Sequence, residues 1–317
     1  MASVAGQGTT YNLPNYTGEL FQISPSDTPF LAAIGGLNGA ATTSSTEFEW
    51  QTADIRATSA GNTQVEGADA PTANEQSRAN VTNVVEIHQS QVNVSYSKQA
   101  ARGLKAGSNN DLTDPVTDEL GYQIDQELMA MAVDVEKSFV SGVYAKPANN
   151  STARKTRGIL SAISTNVSAN GGTGRALSKT IVDTFLATMF TNGSPLRQAT
   201  TVFMVGSGQK IALSNLYSTA VLNAPTQTRN LGGVAIDTII TDFGTFGVML
   251  NRWMPAGQIA VVDLGVCQPV FLEVPGKGRL FVEPLAKTGA SDKYQLYGEV
   301  GLKYGPEIYH GLIKDLT

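Results

Sequence analysis

Two short strings in the sequence have the residue types and spacing of a serine nucleophile site. Ser207 and Lys210 show the Ser-x-x-Lys spacing of penicillin-binding enzymes, in which one helical turn brings the lysine amine to the serine, and residues 287–289 repeat their Lys-Thr-Gly string. The Ser-Asp-Asn element that should lie between them is missing, because the nearest string, Ser-Asp-Lys at 291–293, comes later and lacks the asparagine. A helix start at Ser207 and a turn at 287–289 explain both strings better than an enzyme does.

A third string, Asp-Phe-Gly at 242–244, matches the magnesium-binding string of protein kinases. The His-Arg-Asp loop, the strand lysine and the glycine-rich loop that accompany it in kinases are absent from the sequence. The string therefore predicts a turn between two strands.

The inventory of metal ligands and general bases is small. Only His88 and His310 offer imidazole, and Cys267 is the single thiol, which excludes an internal disulfide, a thiolate zinc cluster and an iron–sulfur site. His310 has no neighbouring carboxylate at a ligand spacing and is predicted to be structural. The sequence predicts no catalytic residue, no cofactor and no metal site.

Composition places the chain among globular proteins, since 41% of its 317 residues are hydrophobic and 15% are charged. No window approaches the roughly 18 consecutive apolar residues of a membrane-spanning helix. The first residues, MASVAGQGTTYNLPNY, lack the basic start and apolar run of a secretory signal. We therefore expect no membrane association and no export by a signal of its own.

Charge is distributed unevenly along the chain. Residues 1–90 contain nine acidic and two basic residues, whereas residues 137–182 contain seven basic residues and no acid. Ordinary solvated faces would explain this pattern. Alternatively, the two regions meet between chains, because complementary patches steer association and fix register. Nucleic acid is a weaker partner for the basic stretch, which has few interleaved aromatic residues.

The N-terminal third predicts an arm followed by a long loop. The first 45 residues carry scattered apolar side chains broken by prolines and should lie along a surface supplied by something else. Residues 46–51 and 84–96 alternate at a period near two, which suits half-buried strands. From 57 to 80 the only large apolar residue is Val65, so the stretch is either a disordered loop or an extended hairpin that gains order on a neighbour.

The strongest helix pattern covers residues 114–142. Asp114 suits the N-cap, Pro115 suits the first helical position, and Gly142 is a natural stop. Apolar residues recur at steps of three or four, namely Leu120, Ile124, Leu128, Met131, Val135 and Phe139. At 1.5 Å per residue a helix over 115–141 would be about 40 Å long. Its single apolar stripe predicts a spine packed on a sheet.

The second half predicts an α/β module and terminal strands. A helix should begin after Ser178 as N-cap and end near Asn192. Together with alternating strands and helices it suggests a module over roughly 178–262. The other predicted elements are a strand at 200–205, a helix at 207–217, and strands at 234–241, 259–262, 270–274, 280–282 and 294–303.

The order of these pieces resembles the major capsid proteins of tailed double-stranded DNA bacteriophages, whose fold is called HK97-like. The resemblance is closer still to the SU10-like major head proteins. The resemblance rests on short strings of residues. Each string alone is weak evidence, but together they span almost the whole chain in the expected order. They are residues 15–21 (NYTGELF), 27–31 (DTPFL), 48–51 (FEWQ), Asp54, 66–70 (EGADA), 78–80 (RAN), 157–159 (RGI), 241–244 (TDFG), 251–255 (NRWMP), 285–289 (LAKTG) and 310–311 (HG).

The resemblance implies an α+β, HK97-like capsid fold in five segments. These are an N-terminal arm over 1–45, an extended loop over 46–96, a peripheral domain over 97–177 with the spine helix 115–141, an axial α/β domain over 178–262, and return strands of the peripheral domain over 263–317. It further implies that the loop lies across a neighbouring subunit and that the axial domain points toward a five- or six-fold axis.

The implied function is that of a major capsid protein. Many copies would form the pentamers and hexamers of an icosahedral shell around double-stranded DNA, located in the virion and assembled in the cytoplasm of the host bacterium. Implied partners are further copies of the chain, a portal, the packaged DNA and a separate scaffolding protein, since no large domain precedes the arm. A virion decoration protein or a tail structural or binding protein is the alternative, against which the long helix argues.

Eight residues are candidates for contacts between subunits. Trp50 is expected to anchor the base of the loop, because large aromatic side chains dominate buried interfaces. Glu66 and Asp69 are expected to meet the basic stretch of a neighbour and fix register. The remaining candidates are Arg78, Lys146, Arg154, Lys155 and Arg157.

Overall fold

A computed structural model describes residues 22–38, 41–55, 63–72, 76–100, 118–218, 229–231 and 234–317 of the chain. The helices are α1 (Pro29–Ala33), α2 (Tyr96–Ala100), α3 (Glu119–Ser141), α4 (Ile159–Ala162), α5 (Lys179–Thr191) and α6 (Ser207–Ser218). The strands are β1 (Ala41–Thr43), β2 (Glu47–Ala53), β3 (Arg78–Val84), β4 (Glu86–Ser95), β5 (Val167–Ser168), β6 (Thr201–Val205), β7 (Arg229–Leu231), β8 (Val234–Thr241), β9 (Gly244–Leu250), β10 (Ile259–Asp263), β11 (Gln268–Leu272), β12 (Leu280–Pro284), β13 (Ser291–Lys303) and β14 (Gly311–Ile313). None of the helices in these ranges has the length and apolar character needed to cross a membrane.

The long helix is present and starts later than predicted. Residues 114–117 lie outside the described residues, and α3 begins at Glu119, where Asp118 Oδ1 accepts a hydrogen bond from Leu120 N (3.1 Å). Asp118 therefore supplies the cap that the sequence assigned to Asp114. The C-terminal end is confirmed, since the helix stops at Ser141, directly before Gly142.

A seven-stranded sheet has the order β5-β14-β10-β6-β9-β8-β7. Its central strand β6 pairs in parallel with β9 and antiparallel with β10, and all five of its residues are buried. Side chains alternate across a strand, so Val202 and Met204 join one hydrophobic core while Phe203 and Val205 join another. Burial on both faces explains why β6 is a continuous apolar run.

Helices cover both faces of this sheet. The first core joins β6 to α1, α4 and the C-terminal half of α3, with Phe30 and Phe139 fully buried. The second core joins the opposite face to α5 and α6, through Leu186 and Leu213. Ser178 caps α5 as predicted, because its Oγ accepts a hydrogen bond from Ile181 N (3.3 Å).

The chain forms two compact units, and a second sheet contributes strands to each. The first unit comprises 1–26, 89–131 and 281–297; in it β13 pairs with β12 and β4, and Leu285 N donates to Lys293 O (2.8 Å). The second unit comprises the remainder; in it β1 pairs in parallel with β11, and β11 pairs antiparallel with β13.

These units differ from the five predicted segments. The seven-stranded sheet extends beyond 178–262, because β5 precedes that range and β14, predicted among the return strands, pairs with β10. The bounds of single strands and helices agree better with the prediction than the segments do. Strands β6, β8 and β10 and helix α6 lie within two residues of their predicted positions. Asp242 and Phe243 form the predicted turn between β8 and β9. The assignment of arm, loop, peripheral and axial segments stays a prediction.

Part of the predicted arm is held by the chain's own core. Residues 1–21 lie outside the described residues, but Phe30 and Leu31 in α1 are buried in the first core. Their backbone N–H groups donate to the carboxylate of Glu136 in α3 at 3.1 and 2.6 Å. For residues 29–34, the surface that the arm was expected to need is therefore supplied by the same chain.

Candidate functional site

Strands β2 and β3 form an antiparallel hairpin, and residues 54–77 connect them along the chain. The pairing runs from Glu47↔Val84 to Ala53↔Arg78, with Trp50 opposite Val81. Exposure alternates along β2, with Phe48, Trp50 and Thr52 half-buried and the residue after each of them exposed. One face of the hairpin base therefore packs on the protein, as the alternating sequence pattern predicts.

Trp50 fixes this base to the loop after β13. Its indole Nε1 donates to Gly305 O at 3.0 Å, and its ring meets the buried Tyr304 ring edge-on with centroids 4.9 Å apart. Phe48 stacks beside it at 6.1 Å. Aromatic pairs in these geometries add about 0.5–1.5 kcal/mol beyond the area that they bury. Trp50 thus holds the base of the hairpin on its own chain, and its role in contacts between subunits stays a prediction.

Asn83 clamps the other strand of the hairpin. Its side chain is fully buried; Nδ2 donates to Leu302 O (2.7 Å) and Arg157 O (3.2 Å), while Oδ1 accepts from Arg157 N (2.8 Å) and Val84 N (2.9 Å). All four hydrogen-bonding positions of the amide are therefore used. Asn83 joins β3 to β13 and to the segment before α4.

A glycine on β13 permits the close approach of the hairpin. A Cβ atom on Gly301 would lie 2.6 Å from Phe48 Cε1 and 2.7 Å from Val84 O. Because real Cβ contacts are longer than this, only glycine lets β13 pass directly beneath both strands of the hairpin base.

Three predicted basic residues have partners inside the chain. Lys146 Nζ lies 2.5 Å from Glu47 Oε2 at the start of β2, and Arg154 Nη2 lies 2.7 Å from Glu299 Oε2. Arg157 Nη1 donates to Tyr304 Oη (3.2 Å). Burial raises the pKa of the Tyr304 hydroxyl, and the Arg157 charge opposes this rise.

Arg157 also packs its guanidinium over the Tyr144 ring, 4.6 Å from the centroid. Since Tyr304 also packs against Trp50, Arg157 and Trp50 belong to one cluster at the hairpin base. The cluster couples the hairpin to the segment that precedes α4.

The connection between β2 and β3 exposes each of its described residues, which are 54–55, 63–72 and 76–77. Residues 63–72 contain a turn in which Ala68 N donates to Val65 O (3.2 Å) and Gly67 has φ = +84°. A positive φ at the third position is the requirement of a type II turn, which glycine meets without strain. Glu66 and Asp69 flank this glycine and are exposed, so both carboxylates are available to a partner. We call residues 63–72 the acidic turn.

The residues of the enzyme-like strings begin a helix or contact other side chains of the same chain. Ser207 begins α6, and Lys210 Nζ lies 2.6 Å from Asp237 Oδ2. Lys287 Nζ lies 3.0 Å from Tyr96 Oη and 3.1 Å from Asp292 Oδ1, and these two contacts raise the pKa of Lys287. A lysine held in its charged form cannot act as a base at neutral pH. The described part of the chain also contains no cluster of three His, Cys, Asp or Glu side chains that could hold a metal ion.

Solved capsid structures share this architecture. The capsid asymmetric unit of cyanophage A-1(L) superposes with a TM-score of 0.69 at 14% identity, covering 98% of each chain. The capsid of a native GTA particle gives 0.60 at 17% identity, covering 100% of this chain and 99% of the other, and the capsid of Myoviridae phage XM1 gives 0.58 at 13% identity, covering 98% and 99%. The chain therefore has the HK97-type fold. A comparison with curated protein sequences finds no significant match.

The sequence profile described as SU10 major capsid protein matches residues 3–317, which is almost the whole chain. This chain belongs to the SU10 major capsid protein family. It is a phage major capsid protein, a structural component of the virion capsid, and the resemblance inferred from its ordered strings is confirmed. The alternative of a decoration or tail protein is not favoured.

In this capsid protein the eight predicted contact residues lie in four places. Trp50, Arg157 and Lys146 lie around the hairpin base, and Arg154 Nε donates to Val85 O (3.3 Å), directly after β3. Arg78 lies at the end of the paired strands, where its Nη1 donates to Gln51 Oε1 (3.1 Å). Lys155 is exposed, and its backbone pairs with Ala145. Glu66 and Asp69 lie in the acidic turn. Their role between subunits stays a prediction, because the structure describes one chain.

Sequence reasoning missed several residues that build the hairpin base of the capsid protein. Asn83, Gly301 and Tyr304 were not singled out, although each is buried or closely packed there. Asn83 carried a usable signal, since asparagine is disfavoured inside a strand and this one precedes two buried valines. Gly301 and Tyr304 gave no local signal, because the hairpin residues that they contact, Phe48, Val84 and Trp50, are more than 200 positions away.

Proposed function

We propose that this capsid protein forms the pentamers and hexamers of a closed icosahedral shell by laying its hairpin on a neighbouring copy. One observation carries the proposal: Trp50 and Asn83 hold the hairpin base on their own chain, yet the described residues between β2 and β3 are all exposed. Val65 is 80% exposed and Ile55 is 86% exposed. Apolar side chains displayed on a polar projection gain free energy when a second chain covers them.

Five-fold symmetry agrees with the fold comparison, since the matching capsid of the native GTA particle was computed with C5 symmetry. We infer that assembly takes place in the cytoplasm of the host bacterium and uses a scaffolding protein, a portal and double-stranded DNA. The net charge of −5 suits a lining that does not grip DNA tightly.

The role that we infer is structural rather than enzymatic. Lys210 and Lys287 are held in ion pairs, and Cys267 is buried, which raises the pKa of its thiol above the ordinary range. Neither the amines nor the thiol is thus in the form that attacks a substrate at neutral pH.

Electron microscopy of the purified chain, expressed alone and with the products of neighbouring genes, tests the proposal directly. We expect closed shells of uniform diameter in at least one of the two preparations. A folded chain that stays monomeric in both would contradict it.

A shortened hairpin supplies the matched control. Replacing residues 54–77 with Asn-Gly keeps the register Ala53↔Arg78, because this dipeptide forms a two-residue hairpin turn. The shortened chain should fold, with an unchanged circular dichroism spectrum per residue, and should form no shells. Normal shells from it would show that the hairpin is dispensable.

A further inference from the structure

A cavity of about 830 Å³ lies away from the hairpin base, at the N-terminal end of α6. Its walls come from four segments that are distant in sequence. They are Asp27 and Pro29, the turn 206–209, the segment 250–257 after β9, and the last residues Leu316 and Thr317. The cavity is large enough for several side chains of a second protein segment.

The floor of the cavity is an open helix terminus. Lys210 N donates to Gly206 O at 2.9 Å, which makes Gly206 the N-cap of α6. Glycine has no side-chain oxygen, so it cannot accept the N–H groups of Ser207, Gly208 and Gln209. A 12-residue helix also carries partial positive charge at this end, and an incoming carboxylate is favoured there.

Gln209 independently indicates that a ligand binds in this cavity. The residue lines the cavity and is only 7% exposed, yet its Oε1 atom is buried without a hydrogen-bond partner. Buried polar atoms in native proteins nearly always have a partner, and an amide oxygen needs an N–H or O–H donor. An N–H or O–H donor from a bound segment would satisfy this oxygen, and the helix terminus beside it favours a carboxylate, so a polypeptide with an acidic side chain fits both features.

The side of the cavity formed by Leu250, Met254 and Leu316 is apolar, and one cation, Arg252, also lines the cavity. Leu250 is 54% exposed beside Met254 and Leu316, so an aliphatic side chain would find cover there. Arg252 Nη2 lies 3.0 Å from Asp27 Oδ2, and both side chains are more than half exposed. Because an exposed pair of this kind is weak and a guanidinium has five N–H donors, Arg252 can bind a second carboxylate.

We propose that this cavity receives the acidic turn of a second copy of the chain. In that contact Val65 covers Leu250, the Glu66 carboxylate accepts the free N–H groups of α6 near Arg252, and a backbone N–H of the turn donates to Gln209 Oε1. The inference rests on the proposed function and names the surface on which the hairpin is laid. It also gives the Ser-x-x-Lys string at 207–210 a use, as the first turn of a receiving helix.

The acidic turn matches the cavity in the features that can be compared. Its exposed aliphatic residue, Val65, is adjacent to the acidic residue, Glu66, just as the apolar wall adjoins the open helix terminus. The type II turn closed by Gly67 keeps the segment narrow. The basic stretch 137–182 is the competing surface. Lys137, Lys146, Arg154 and Lys179 have carboxylate partners in the chain, as Arg252 does, and Lys155 is exposed, so Lys155 represents this stretch in the test.

Disulfide crosslinking in assembled shells tests the proposal. Gly208→Cys is suited to the receiving side, since a Cβ atom there has no neighbour within 4 Å, and Ala68→Cys is exposed in the acidic turn and leaves Glu66 in place. The only native cysteine, Cys267, is buried. Shells of A68C/G208C should give a ladder of linked chains on a non-reducing gel after mild oxidation, because a disulfide requires Cα atoms within about 7 Å. The control pair, A68C/K155C, should give none.

A ladder with Lys155→Cys and none with Gly208→Cys would overturn the proposal in favour of the basic stretch. Shells that give no ladder with either pair would also overturn it, without affecting the proposed function. Should the cysteine variants form no shells, cryo-electron microscopy of wild-type shells decides the question: density for residues 63–72 against 206–209 of a neighbouring copy supports the proposal, and density elsewhere refutes it. A wild-type chain that forms no shells contradicts the proposed function, and the inference falls with it.

Discussion

Single residues at the hairpin base carry most of the link between folding and assembly. Trp50→Ala removes the hydrogen bond to Gly305 O and the ring contact with Tyr304. Because the side chain is only half-buried, we expect a loss of about 2 kcal/mol in the free energy of unfolding, less than for a core tryptophan. The chain should stay soluble and form few shells, measured by urea denaturation and by counting particles in micrographs.

Trp50→Phe separates the two parts of this contact. It keeps a ring against Tyr304 and loses the N–H donor, so we expect about 1 kcal/mol of destabilisation and an intermediate yield of shells. An unchanged shell yield from Trp50→Ala would refute the anchoring role.

His310 should make stability depend on pH. It is fully buried; Nδ1 accepts from Asp263 N (3.2 Å) and Nε2 lies 2.6 Å from Tyr304 O, so the neutral ring with its proton on Nε2 fits both partners. Burial lowers the pKa of His310 below its ordinary 6.5, opposed by the Tyr304 carbonyl and by the charges of Asp263 and Glu307. Below pH 6.5 the unfolded chain therefore binds a proton that the folded chain refuses.

The free energy of unfolding should accordingly fall as the pH drops below 6.5, by up to about 1.36 kcal/mol per pH unit from this residue. His310→Gln removes the titrating group and should reduce the difference in urea midpoint between pH about 7.5 and about 5.5. The variant should keep some dependence of stability on pH, because burial also lowers the pKa of His88. Equal slopes in the variant and the wild type would show that His310 does not contribute.

Glu136 changes the stability with pH in the direction opposite to His310. Burial raises the pKa of Glu136, opposed by its hydrogen bonds from Leu31, Phe30 and Asn251, so its contribution to stability falls as the pH rises from its ordinary 4.5 toward the raised value. The His310→Gln comparison separates the two effects, since it changes only the histidine.

At the scale of elements, the hairpin depends on how closely β13 approaches it. Gly301→Ala would place a methyl group 2.6 Å from Phe48 Cε1 and 2.7 Å from Val84 O. We expect about 1–3 kcal/mol of destabilisation from this overpacking, and faster tryptic cleavage after Arg78 as the base loosens. Urea denaturation and limited proteolysis measure the two effects.

Gly208→Ala is the matched control for this substitution. It lies in α6, where the added methyl group meets nothing within 4 Å, and alanine favours a helix over glycine. This variant should be as stable as the wild type or more stable by up to about 1 kcal/mol, with unchanged cleavage at Arg78. Equal loss of stability in both variants would mean that the contact at Gly301 is unimportant.

At the scale of the whole molecule, the acidic turn should govern association rather than folding. Reversing Glu66 and Asp69 to lysine changes two exposed carboxylates, so the stability of the unassembled chain should change by less than about 0.5 kcal/mol. Shell yield should fall tenfold or more, since about 1.4 kcal/mol per contact is tenfold in affinity and a shell repeats the contact in every copy.

The pair Asp125→Lys and Glu273→Lys controls for net charge. Both acidic residues are exposed and lie outside the β2–β3 hairpin, and their reversal changes the net charge by the same amount. This control should assemble normally. Normal shells from the Glu66 and Asp69 reversal at ordinary salt would show that the acidic turn does not guide assembly.

The sequence alone determined the elements whose signals are local. The apolar stripe of α3, the Ser178 cap of α5, the apolar run of β6 and the alternation of β2 all depend on neighbours within a few residues, so they were predictable. The ordered strings were sufficient to identify the capsid family, because their order along the chain is itself a property of the sequence. The exposure of the acidic turn also followed from composition, since a segment with one large apolar residue cannot bury itself.

Only the tertiary structure decided which distant residues meet. Asn83 with Leu302, Trp50 with Gly305 and Arg154 with Glu299 are each joined across more than 140 positions, and no local pattern specifies such a partner. The tertiary structure also placed β14 in the seven-stranded sheet and paired Lys146 and Arg154 with carboxylates of their own chain. The physical reason is that caps and periodicity act through adjacent backbone, whereas packing and ion pairs depend on where the whole chain brings side chains together.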